Sequence, residues 1–168
     1  MVYTVTFNPA VDYIVHTKQL IAGATNRSDS EEIYFGGKGI NVSIVLSELG
    51  VKSKALGFVA GFTGEAIEKG VAEKGIDADF VHLNEGFSRI NVKIKSGEET
   101  ELNGQGPKIT DEAIRELYAK LDEIQDGDTL VLAGSIPSSL PADIYERILE
   151  RLSGKKIRAV VDLSLIHI

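Results

Sequence analysis

The segment Phe35–Ser43, FGGKGINVS, sets three glycines and a lysine directly ahead of an apolar run with helical spacing. Glycine lets a backbone come close to a ligand, and the free N–H groups at a helix start suit an anion or a sugar hydroxyl. The same residues also make an ordinary turn with a solvated Lys38, and the pattern alone leaves both readings open. It is not a nucleotide phosphate loop, because Lys38 is followed by Gly39 and Ile40 where that motif needs Ser or Thr. Neither this loop nor the later GFVAGFTG has the glycine spacing of a dinucleotide fingerprint.

Three other places carry candidate chemistry. Asp12 follows the first predicted strand and the residues NPAV, where open α/β folds place ligand groups. A carboxylate there can hold two sugar hydroxyls or simply cap a turn. Arg89, Asn91 and Lys93 share one side of an alternating segment and can close over an anion, or form the wet face of a hairpin. Ala133–Ser139, AGSIPSS, follows a buried strand and reads as a ligand loop or a plain connection.

Composition narrows the classes. A net charge of −7 disfavours nucleic acid and anionic membranes, so an anionic ligand needs cations gathered locally, and Arg27, Lys38, Arg89 and Lys93 are the candidates. Zero cysteines exclude thiolate metal sites, disulfides and cysteine nucleophiles. His16, His82 and His167 lack ligand spacing, so no metal-ligating set is expected. No apolar run reaches membrane-spanning length and the start MVYTVTFNPAVD lacks signal-peptide features, which leads to an expectation of a cytoplasmic protein.

The elements that must position these residues alternate. Val2–Phe7 predicts a strand stopped by Asn8-Pro9, and Ile40–Leu49 predicts a helix closed by Gly50. Lys54–Ala60 is an apolar strand, Thr63–Gly75 a helix and ADFVHL a further strand. Ile109–Ile124 carries the clearest helical stripe, capped by Thr110. DTLVLAG and IRAVVD read as buried strands either side of a helix beginning near Pro141. This rhythm predicts a three-layer α/β domain with a mostly parallel sheet. SRINVKIKSGEETELNGQG breaks it: Ile90, Val92 and Ile94 alternate with Arg89, Asn91, Lys93 and Lys95 around a turn at Ser96-Gly97. With short strands near 13–18 and 30–35, the hairpin over 87–103 predicts a small antiparallel β lid.

In order and spacing, TFNPAVDY, GGKGINVS, SRINVKI, TELNGQGP and AGSIPSSLP resemble the ribokinase-like (PfkB) sugar kinases, and within them the branch acting on fructose 1-phosphate. The resemblance runs from residue 1 to about Asp162. It implies a ribokinase-like fold and transfer of the γ-phosphoryl group of ATP, with Mg²⁺, to fructose 1-phosphate, giving fructose 1,6-bisphosphate. GGKGIN is shared with kinases of tagatose 6-phosphate, which is the alternative substrate; a non-catalytic phosphosugar-binding module is the alternative of another class. Carried onto matching positions, Asp12 binds sugar hydroxyls, Gly37, Lys38, Gly39 and Asn41 line the sugar site, Arg89 with Arg27 and Lys93 neutralises the phosphate, and Ser135 faces the site. The resemblance further implies a homodimer formed through the lid sheets.

The catalytic base, the Mg²⁺-organising residues and the nucleotide pocket belong, in that family, to a second half that follows the last strand. The expectation is therefore that residues 1–162 are the N-terminal part of such a kinase, holding no catalytic residue and inactive alone, its last strand an open apolar edge. The final LSLIHI does not resemble the family and matches one reading frame of a common transposon-end adapter, so residues 163–168 are expected to be a non-native tail.

Overall fold

The computed structural model describes residues 1–162, and the expectation for residues 163–168 lies outside them. In chain order the elements are β1 (Val2–Thr6), β2 (Ala10–His16), β3 (Ser30–Gly36), α1 (Lys38–Glu48), β4 (Ser53–Ala60), α2 (Gly61–Glu73), β5 (Asp77–Ala78), β6 (Val81–Leu83), β7 (Arg89–Ser96), β8 (Glu98–Asn103), α3 (Asp111–Asp122), β9 (Thr129–Ala133), α4 (Ile144–Arg151) and β10 (Arg158–Asp162).

The body is a six-stranded sheet in the order β10-β9-β1-β4-β5, with β6 also paired to β4. All its pairings are parallel. Strands buried on both faces need continuous apolar runs, which is what Leu130–Ala133 and Leu56–Ala60, broken only by Gly57, supply. On one face Leu117, Leu121, Ile144 and Ile148 of α3 and α4 pack on Val5, Leu130 and Leu132. On the other, Ile40 of α1 and Ile67 and Val71 of α2 pack on Ala55 and Val59. The predicted three layers are present. ADFVHL is two short strands instead of one, because Phe80 leaves the strand line and fills the cluster beneath α1 and α2. Thr110 caps α3 as its sequence predicts, accepting from the Ala113 N–H at 3.2 Å.

The second sheet has the order β3-β2-β7-β8. Its outer pairs are antiparallel, but the central pair β2–β7 is parallel, so this lid is mixed and not wholly antiparallel. β2 and β7 follow the parallel body strands β1 and β6 and leave the body in the same direction, which dictates their mutual orientation. The hairpin turn falls where expected, with Gly97 at φ 86, a backbone region that favours glycine.

β10 is the outermost strand of the body sheet among the described residues, and Val160 and Val161 are 44% and 40% exposed.

Candidate functional site

The glycines ahead of α1 do three different things. A Cβ on Gly39 would lie 2.5 Å from Thr6 Oγ1 and 2.7 Å from the Val5 carbonyl oxygen, so the helix start can rest directly on β1 only if that residue is bare. Gly37 faces Thr6 in the same way and holds a φ of 134. The contact is used: Thr6 Oγ1 accepts from the Ile40 N–H at 3.0 Å and caps α1 from a strand remote in sequence. Gly37 and Gly39 thus seat the helix on β1.

Gly36 is the glycine that shapes the site. A Cβ there would stand 3.1 Å from Asp12 Oδ2 and 3.7 Å from Asn41 Oδ1. The carboxylate and the amide therefore converge over a bare Cα, at the wall of a cleft of about 560 Å³ that Ile14, Tyr34 and Lys93 also line. Asp12 is not in a turn after β1. β2 begins immediately after Pro9, and Asp12 sits inside it, in register with Tyr34 on one side and Asn91 on the other. An Asn41 side chain on the first turn of α1 and an Asp12 side chain on a lid strand place groups from body and lid on one cleft.

Cations surround this volume unevenly. Lys93 lines the cleft and stands 3.7 Å from Glu101 Oε1 across the β7–β8 pair. Arg89 is half-buried at the base of the lid, where its Nε donates to the Asn8 carbonyl oxygen at 3.1 Å. Burial pulls its pKa below the ordinary arginine value and the charge of Asp12 opposes that pull. Lys38 begins α1 at the carboxyl edge of the body sheet, 3.9 Å from Asp162 Oδ2, and its stem lies 3.7 Å from where a Gly134 Cβ would be. Ser135, next in that loop, is exposed. Arg27 is not brought in: it is exposed in the loop between β2 and β3, beyond His16 at the far end of the lid.

Two site residues lie outside the set carried over from the motifs. Gly36 was visible as a motif glycine, with nothing in the sequence to show that Asp12 lies over it. Asn91 belongs to a stripe that the sequence leaves open between an anion site and a wet face; it is 7% exposed and its Nδ2 donates to Asp12 Oδ1 at 2.8 Å. Among the described residues no three His, Asp or Glu side chains converge as a metal site. No helix among them is long and apolar enough to cross a membrane.

With this geometry in hand, the comparisons are specific. The family model described as pfkB family carbohydrate kinase matches residues 5–166. The 1-phosphofructokinase of Bacillus subtilis is 52% identical over 98% of this chain and 54% of its own length. The D-tagatose-1-phosphate kinase of Bacillus licheniformis is 39% identical over 98% of this chain and 54% of its own length. The structure of Escherichia coli phosphofructokinase-2 in complex with fructose-6-phosphate superposes with a TM-score of 0.89 at 26% identity, over 97% of this chain and 55% of that one. The chain spans about half the length of the curated relatives it matches.

Proposed function

Because the chain belongs to the pfkB family of carbohydrate kinases, we propose that it carries the sugar-phosphate site of an ATP-dependent kinase converting fructose 1-phosphate to fructose 1,6-bisphosphate. The observation that carries this reading is the meeting of Asp12 Oδ2 and Asn41 Oδ1 over Gly36, beside Lys93, with the charge of Arg89 at the base of the lid acting on Asp12. A carboxylate and an amide accept and donate to sugar hydroxyls, and two cations suit an existing phosphate. The 52% identity to a 1-phosphofructokinase supports fructose 1-phosphate as the sugar.

Phosphoryl transfer depends on positioning and on charge stabilisation more than on covalent help from the protein. The nucleotide supplies the transferred group when bound. In this reading the described residues do the acceptor's part: Asp12 and Asn41 fix the ring hydroxyls, Arg89 and Lys93 hold the phosphate already present, and the lid excludes water. Arg27 and Ser135 are secondary in it, reaching the ligand only if lid and loop close further. Asp12 is a binding carboxylate here and not the base that takes the acceptor proton. Residues 1–162 form one part of the kinase domain, and the base and nucleotide site lie outside them.

A second substrate is favoured by the 39% identity to a D-tagatose-1-phosphate kinase. Fructose and tagatose differ only in configuration at C4, so both 1-phosphates present the same phosphate to Arg89 and Lys93. That relative is named for the 1-phosphate, which supports a phosphate at C1 over one at C6 for the tagatose alternative. Calorimetric titration of the full chain with each ketose 1-phosphate, and with Asp12→Ala, tests both readings. Saturable binding of fructose 1-phosphate that Asp12→Ala weakens supports the first; tighter binding of tagatose 1-phosphate replaces it with the second. Binding of neither defeats the site.

A further inference from the structure

We propose that Asn91 is the positioning residue that sets the orientation of the Asp12 carboxylate and so decides which of its oxygens meets the sugar. The inference rests on the sugar-phosphate reading of the cleft. Asn91 on β7 is directly in register with Asp12 on β2, and its Nδ2 donates to Asp12 Oδ1 at 2.8 Å. It is 7% exposed, yet its Oδ1 has no hydrogen-bond partner among the described residues.

An unpaired buried acceptor costs stability, and an apolar side chain of the same size would avoid that cost. The amide is therefore paid for by what its hydrogens do, and its donor contact is Asp12. With Oδ1 engaged from behind, Oδ2 is turned toward the bare Cα of Gly36, beside Asn41 Oδ1. Asp12 then presents one oriented oxygen to the ligand instead of a freely rotating carboxylate. Other side chains at this position fail for plain reasons: serine is too short to span the gap, aspartate would repel Asp12, and leucine cannot donate.

The test is Asn91→Leu in the full chain, read by calorimetry and by thermal unfolding. Expected is an affinity for fructose 1-phosphate weakened about tenfold, the loss of one hydrogen bond to a charged group, with Tm unchanged or raised. Affinity for inorganic phosphate, which samples the cations alone, stays as in the wild type. In an Asp12→Ala background the same substitution changes sugar-phosphate affinity less than about twofold, since a residue acting through Asp12 has nothing left to position. Unchanged affinity with a lowered Tm makes Asn91 a structural residue and overturns the proposal, as does an equal loss in the Asp12→Ala background. If the wild type binds no ketose 1-phosphate, the reading of the cleft fails first. The coupling is then judged from the Asn91 side-chain amide resonances, which must move in Asp12→Ala and which refute it if they do not.

Discussion

The Tyr145 hydroxyl donates to the Gly134 carbonyl oxygen at 3.0 Å, while its ring stacks on Phe7 with centroids 5.1 Å apart. One side chain of α4 thus ties the loop after β9 to the residue that precedes the lid crossing at Asn8 and Pro9. Phe7 stacks in turn on Phe58 of β4, so the carboxyl edge of the sheet is braced from below by three aromatic rings.

Tyr145→Phe keeps the stack and removes the hydrogen bond, leaving a buried carbonyl unpaired. The expected loss is about 1 kcal/mol in urea unfolding at neutral pH. The pH dependence has a definite sign. Burial, helped by the charge of Asp162, pushes the Tyr145 phenol up from 10.0 to about 12. A group whose pKa is raised in the folded state adds stability that is complete below its unfolded pKa and lost as pH rises through the folded one. The stability gap between wild type and Tyr145→Phe should therefore be constant up to about pH 9 and shrink between the two values. A gap that widens with alkali would show that the phenol is not held in its neutral form.

Gly39→Ala tests the seating of α1 on β1. The added methyl would lie 2.5 Å from Thr6 Oγ1 and 2.7 Å from a backbone oxygen, so the helix must move. Overpacking of this kind costs about 1–3 kcal/mol. Gly154→Ala is the control, because nothing lies within 4 Å of its new methyl, and it should change stability by less than about 0.5 kcal/mol. Equal thermal shifts in the two variants would mean that helix and strand are not in contact.

These glycines also show where sequence reading stops. Body strands, the Thr110 cap and the Ser96-Gly97 turn are legible because each depends on residues close in the chain: apolar runs, a cap three residues before its donor, a glycine at a positive φ. Gly36, Gly37 and Gly39 read as one ligand loop, but their contacts are with Asp12, Thr6 and Val5, which no local pattern connects to them. The sequence puts Asp12 beyond a turn because Asn8-Pro9 ends β1, and nothing local shows that a new strand starts at once. The two readings open to Asn91, ligand-facing or wet, are left undecided for the same reason. Period-two alternation marks polar residues as wet, and only the parallel pairing of β7 with β2 puts this one under cover against Asp12.

Arg89→Met tests the phosphate assignment. Methionine keeps most of the stem volume and removes the charge, along with the Nε bond to the Asn8 carbonyl. A charge-assisted contact to phosphate is worth about 1.5–3 kcal/mol, so affinity for fructose 1-phosphate should fall at least about tenfold. The wild type should also lose affinity with added salt more steeply than the variant, since a cation has been taken from the site. Calorimetry at two ionic strengths decides it; parallel salt dependences would move the phosphate away from Arg89.

The outer face of the lid gives the last prediction. Ile33, Tyr13, Val92 and Leu102 form one register row across all four strands, and Ile33 and Leu102 are 58% and 73% exposed. The row above the base on the same face, Phe35, Val11 and Ile90, packs into the cluster under α1 and α2, so the apolar character continues from core to surface. An apolar row of this kind on the flat face of a sheet is suited to a second copy of the same sheet, with the rows of the two lids interleaved about a two-fold axis. If lid pairing makes the homodimer, Leu102→Glu places a like charge against itself across that axis and should convert a dimer to a monomer in sedimentation velocity. Glu99→Lys, on the opposite face of β8, should leave the dimer in place. A wild type that sediments as a monomer at every concentration would rule lid pairing out, and a dimer indifferent to Leu102→Glu would put the interface elsewhere.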